Sequence, residues 1–124
     1  MNNFRELVVW QKSIAFVVKI YEVTKQFPTE DKFNLVTQMQ RSATSIPSNI
    51  SEGVGRNSGD VFKQFLTISI GSAHELETQI IISKKLGYIS EELSEQLMQD
   101  LTEIQKMLYG LHKSLNKLTT PTNY

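Results

Sequence analysis

Eight aliphatic residues near the C-terminus, Leu93, Leu97, Leu101, Ile104, Leu108, Leu111, Leu115 and Leu118, recur at steps of four and three. That period lines them along one side of a helix and excludes the two-residue alternation of a strand. Ser90 is placed to cap this helix, Glu91 and Glu92 open it, and Lys106, Lys113 and Lys117 come late, as the helix dipole prefers. An apolar stripe this long needs other helices to cover it.

The rest of the chain supplies them. From Phe4 to about Phe27, Leu7, Trp10, Ile14, Val17, Val18 and Tyr21 share one helical face, which is the expected core side. Pro28 ends the segment, because a residue preceding proline avoids the helical region. Thr29 is then placed to cap a second helix with the stripe Leu35, Met39, Ala43, Ile46 and Ile50, for which Gly53 and Gly55 are suitable C-terminal stops. A third starts near Ser58 or Asp60, carries Phe62, Phe65, Leu66, Ser69, Ala73, Leu76 and Ile80, and ends at Gly87. Short connections make sequential helices antiparallel neighbours. The predicted fold is therefore all-α, an antiparallel up-down-up-down four-helix bundle over residues 1–118. Residues 119–124, which lack periodicity, form an expected mobile tail.

One stretch resists this simple reading: RSATSIPSNISEGVGRNSG, from Arg41 to Gly59, crowded with Ser, Asn and Gly around Pro47. At about 100° per residue, Arg41, Ser45, Ser48 and Glu52 fall in one narrow wedge with Asn49 at its edge, opposite Met39, Ala43, Ile46 and Ile50. The phase holds on both sides of Pro47, which favours a continuous, kinked helix over two short helices breaking at Ile46. A buried proline in mid-helix costs about 3 kcal/mol unless nearby hydroxyls satisfy the carbonyl it frees.

A solvated face is the plain explanation of the polar wedge, but its small side chains are not those an exposed helix surface prefers. The first helix also carries a second apolar stripe, Val9, Phe16, Ile20 and Val23, roughly opposite its expected core side. One bundle cannot bury both, and contiguous exposed apolar surface marks an interface. Gly71, pointing away from the third helix's core, suits close approach by another backbone. The chain is thus expected to self-associate, with Val9, Phe16, Ile20, Val23, Ser45, Ser48, Asn49, Glu52 and Gly71 as interface candidates.

Other chemistry finds little support. With 13 Lys and Arg against 13 Asp and Glu, no overall field draws the chain to nucleic acid or anionic membrane. No cysteine is present, which removes disulfides, thiol nucleophiles and Cys-based zinc sites. Gly53, Gly55 and Gly59 match neither the dinucleotide fingerprint nor the P-loop, and HELET at His74–Thr78 lacks a zinc-protease helix's second histidine. Glu52, Glu75 and Glu77 have no positioned nucleophile beside them, so ion pairing or solvation is the better assignment. No catalytic residue, metal or cofactor is expected, no segment reaches the length of a membrane span, and a cytoplasmic location is the default. For nucleic acid the candidate residues are Lys12, Lys19, Arg41, Arg56 and Lys63, sparse in one subunit but multiplied in a ring.

Three segments carry a resemblance: LVVWQKSIAFVVKIYEVTKQFP, QRSATSIPSNISEGVGR and FLTISIGSAHELETQI. Together they resemble the four-helix-bundle proteins encoded within 23S rRNA intervening sequences, a family that includes the accessory variability protein of diversity-generating retroelements. The resemblance implies a homopentameric ring. In the retroelement branch it also implies binding of nucleic acid and a reverse transcriptase partner. No catalytic activity is implied. The matching positions are Trp10, Gln11, Gln38, Arg41, Ser45, Ile46, Pro47, Asn49, Glu52, Gly53, Arg56, Phe65, Gly71, Ser72, Glu75, Leu76 and Glu77. Gln40 and Ile70 stand where the family often has arginines, which lowers the positive charge per subunit. RNA, a nucleic-acid-processing protein and further copies of the chain are the expected partners, with a protein-only assembly as the alternative.

Overall fold

The computed structural model describes residues 3–118, so the tail expected at 119–124 lies outside the described residues. Four helices account for most of the chain: α1 (Val8–Thr24), α2 (Leu35–Gly55), α3 (Gly59–Lys85) and α4 (Glu91–Leu118). Short 3-10 turns at Phe4–Glu6 and Thr29–Asp31 precede α1 and α2, so Thr29 opens a separate turn and α2 begins at Leu35, later than a cap at Thr29 implies. The α3 and α4 starts follow from their caps: Ser58 Oγ accepts from the Val61 N–H at 3.3 Å and Ser90 Oγ from the Leu93 N–H at 3.0 Å. Helix α3 ends where Gly87 adopts φ 80°, letting the Tyr88 N–H reach the Ser83 carbonyl at 2.9 Å.

Polar contacts give the order of packing. Between α2 and α3 they pair Met39 with Ser83, Ser42 with Glu75, Ser45 with Ser72 and Ile46 with Ser69. Between α3 and α4 they pair Thr67 with His112, His74 with Tyr109, and Glu77 with Gln105. Residue numbers rise on one helix as they fall on the other, so these neighbours run antiparallel. At one end the two loops are tied together, with the Tyr88 hydroxyl donating to the Asp31 carboxylate and the Phe27 and Tyr88 rings 5.1 Å apart.

Along the axis lies a core formed by the α2 stripe Leu35, Met39, Ala43, Ile46 and Ile50, the α3 stripe Phe62, Leu66, Ala73, Leu76 and Ile80, and Leu97, Leu101, Ile104 and Leu108 of α4. Helix α2 is continuous through Pro47, which is buried. The buried Ser69 hydroxyl bonds beside the proline, donating to Ile46 O at 2.9 Å, and not at the Ala43 carbonyl that Pro47 leaves without its helical donor. Gly53 lies inside α2 and serves packing rather than termination. A Cβ there would sit 2.7 Å from Phe62 Cδ1 and 2.9 Å from Phe65 Cβ, closer than carbon atoms tolerate.

Helix α1 corrects the expectation drawn from its two stripes. Val9, Phe16 and Ile20, expected on an outer interface, are buried in the core, and Val23 packs against it. Ile14, Val18 and Tyr21, expected inside, are exposed, while Leu7, Trp10 and Val17 are half-buried at the margin. The helix is turned by roughly 100° from its expected orientation. The buried line also includes Ser13 and Thr24, whose hydroxyls donate to the Val9 and Ile20 carbonyls at 2.6 and 2.8 Å. Hydroxyls satisfied by their own helix can enter a core at little cost, so counting apolar residues alone favours the wrong stripe.

Candidate interaction surface

The turn of α1 buries Val9, Phe16 and Ile20 but leaves part of the other stripe outside. Ile14 is 38%, Val18 53% and Tyr21 45% exposed, and their spacing of four and three keeps them on one side of the helix. Tyr21 forms one wall of an open groove of about 500 Å³ between α1 and α2. The α2 side supplies Thr37, Gln40, Arg41, Thr44, Ser45, Ser48 and Asn49, so the polar wedge meets this groove. No carboxylate lines it, and Arg41 is its single charge.

The wedge residues divide by their neighbours. Ser45 turns toward α3, sharing a 2.8 Å hydrogen bond with Ser72 and accepting from Asn49 Nδ2 at 2.9 Å. Both are half-buried in the monomer, whereas Ser48 is exposed. Glu52 is exposed and pairs with Arg56 at 2.9 Å, one helical turn along. Gly71 is exposed, and a Cβ added there would have no atom within 4 Å, so nothing in the single chain requires glycine at that position.

Four of the five candidate phosphate-contacting residues are engaged in ion pairs. Lys12 pairs with Glu103 at 2.9 Å and Lys19 with Asp100 at 3.2 Å, both bridging α1 to α4. Arg56 is held by Glu52, and Lys63 lies 3.8 Å from Asp60. Exposed pairs like these contribute only about 0–1 kcal/mol to stability, but each acid cancels the field its base would offer a phosphate. Arg41 has no hydrogen-bond or ionic partner among the described residues. The structure therefore does not gather the five into one basic patch: Lys12 and Lys19 face α4, and Arg41 lies in the α1–α2 groove.

A second exposed line, which the core pattern of α3 obscures, runs along that helix. Ile68, Glu75 and Ile82 follow at intervals of seven, and all three are exposed. Ser42 Oγ donates to one oxygen of Glu75 at 3.0 Å, which places this line on the α2 side of α3. The spacing was readable in the sequence, but Leu66, Ala73 and Ile80 show the same interval, and periodicity alone does not say which line faces out. Buried beside it, Gln79 Oε1 has no hydrogen-bond partner among the described residues.

Other features do not converge on a reactive centre. His74 contacts the Tyr109 hydroxyl at 2.9 Å and His112 lies 3.5 Å from Thr67 Oγ1, so both histidines sit in the α3–α4 seam. Among the described residues, no group of three or more His, Cys, Asp or Glu side chains is placed to hold a metal ion, and no helix is long and apolar enough to cross a membrane. The ionisation of the Tyr88 hydroxyl is displaced: its hydrogen bond to Asp31, then burial and the charges of Asp31 and Glu30, hold its pKa above the ordinary tyrosine value.

Comparison with known proteins agrees with this architecture. A crystal structure of a protein of unknown function from the S23 ribosomal protein family of Bacteroides thetaiotaomicron is 36% identical in sequence. It superposes with a TM-score of 0.79 over 86% of this chain and 96% of that one. No curated protein matches. The sequence model of the 23S rRNA-intervening sequence proteins matches residues 5–110, from the turn before α1 well into α4. The chain belongs to the 23S rRNA-intervening sequence protein family.

Proposed function

We propose that this protein is a non-enzymatic assembly module of the cytoplasm that builds a homo-oligomer, five-membered as the family resemblance implies, through protein contacts. One observation carries this: Ile14, Val18 and Tyr21 stand exposed beside a face of small side chains, on a chain whose core is complete without them. Surface of that kind gains free energy when another protein covers it. Gly71, with open space where a side chain would project, is consistent with a backbone approaching from outside. Native mass spectrometry and sedimentation at micromolar concentration test the reading. The wild type is expected to form a defined oligomer, and Val18→Asp to dissociate it while helical content is retained. A wild-type chain that stays monomeric throughout would overturn the proposal.

A second reading, in which the assembly binds RNA or a ribonucleoprotein partner, is favoured by Arg41 alone, unpaired in a groove without acids. Lys12, Lys19, Arg56 and Lys63 add little while their carboxylates hold them. A mobility-shift series with structured RNA tests it: binding must weaken steeply with salt and be lost in Arg41→Ala. Absence of binding at low salt leaves the protein-only assembly.

A further inference from the structure

The self-association reading leaves open what the α1–α2 groove receives, and a complementary surface lies on the same chain. On α3, Ile68, Glu75 and Ile82 are separated by seven residues each, so they form a nearly straight line about 21 Å long on one side of the helix. Ile68 is 50% and Ile82 42% exposed. Ser42 occupies one oxygen of Glu75 and leaves the other without a partner among the described residues. Gly71, one turn before Glu75, lets another chain come close to the helix backbone there. The result is a ridge with an acid between two apolar residues.

The groove has the opposite character. Its α1 side is Tyr21, its α2 side offers hydroxyl- and amide-bearing residues, and its single charge is the Arg41 guanidinium, which has no partner among the described residues. In the single chain Arg41 and Glu75 form no ion pair with each other. We infer that the α3 ridge of a second copy of this chain seats in the α1–α2 groove, with Glu75 of one copy pairing with Arg41 of the next and setting the register.

Charge complementarity between the Arg41 guanidinium and the free Glu75 oxygen selects a second copy as the occupant. Groove and ridge adjoin across α2, since Ser45 lines the groove while sharing a hydrogen bond with Ser72 of α3, and Ser42, next to Arg41, donates to Glu75.

This inference rests on the self-association reading, and charge reversal separates the two. Arg41→Glu and Glu75→Arg, each in the full chain, are compared with the double variant by sedimentation, with circular dichroism confirming retained helix. Each single reversal is expected to weaken self-association about tenfold or more, and the double to recover it to within about threefold of the wild type. Arg41→Gln and Glu75→Gln, which remove charge without repulsion, should show a smaller loss of the same kind. Lys113→Glu, away from both surfaces, should leave assembly unchanged. If the wild type is oligomeric and the single reversals assemble as it does, or the double stays as weak as the singles, the register is wrong and the assembly reading survives. A monomeric wild type sinks both.

Discussion

The orientation of α1 can be tested by truncating one residue from each of its stripes. Phe16 is 3% exposed and packed in the core, while Val18, two residues on, is 53% exposed. Replacing a buried Phe with Ala removes its transfer free energy and leaves a cavity, at a typical cost of about 3–5 kcal/mol. A domain of 124 residues has a total stability of about 6–19 kcal/mol, so Phe16→Ala should remove a large fraction of it. Val18→Ser changes an exposed position and should alter the stability of the separated subunit by no more than about 0.5 kcal/mol. Urea unfolding followed by circular dichroism measures both, and repeating it over a range of protein concentration adds a second discrimination. The Phe16→Ala loss is internal to the bundle and should persist at every concentration. Any Val18→Ser loss should grow with concentration, because it acts through association and mass action. If Phe16→Ala cost under about 1 kcal/mol while Val18→Ser cost over about 2 kcal/mol at high dilution, the assigned orientation of α1 would be refuted.

Three further outcomes follow from particular contacts. Gly53→Ala forces a Cβ to within 2.7 Å of the Phe62 ring, so it should destabilise the fold by about 1–3 kcal/mol despite the gain in helix propensity; in the separated subunit Gly71→Ala should stabilise by up to about 1 kcal/mol, both read by urea titration. Ser69→Ala removes the buried hydroxyl that serves the Ile46 carbonyl beside Pro47 and should cost about 1 kcal/mol in the same assay. The bond to Asp31 raises the pKa of Tyr88 in the folded chain above its unfolded value, which favours the protonated phenol. Its contribution is fully present below that unfolded value, near pH 10, and is lost as pH rises through the folded one. Thermal melts across this window should show a steeper decline for wild type than for Tyr88→Phe.

Much of the architecture follows from local physics. The α2 stripe, the α4 leucines and the caps at Ser58 and Ser90 are set by helical period and by hydrogen bonds within a turn or two. Neighbouring residues decide those features, so the sequence states them directly. The phase of the polar wedge also carried through Pro47, where α2 continues without a break.

The functional surface was legible only in outline. Two apolar stripes on α1 are a fact of the sequence, and so is the conclusion that one bundle buries only one of them. Choosing between them required α2 and α4 in place. Phe16 and Ile20 turn inward against the core, and Lys12 and Lys19 then face the α4 acids Glu103 and Asp100. Likewise Arg41 and Arg56 look equivalent in the chain, yet one lies open in a groove and the other is held by Glu52. The sequence by itself determined four helices and a surplus of apolar surface, because period and capping are properties of nearby residues. Tertiary packing alone decided which apolar line is surplus, because that depends on side chains brought together from distant parts of the chain.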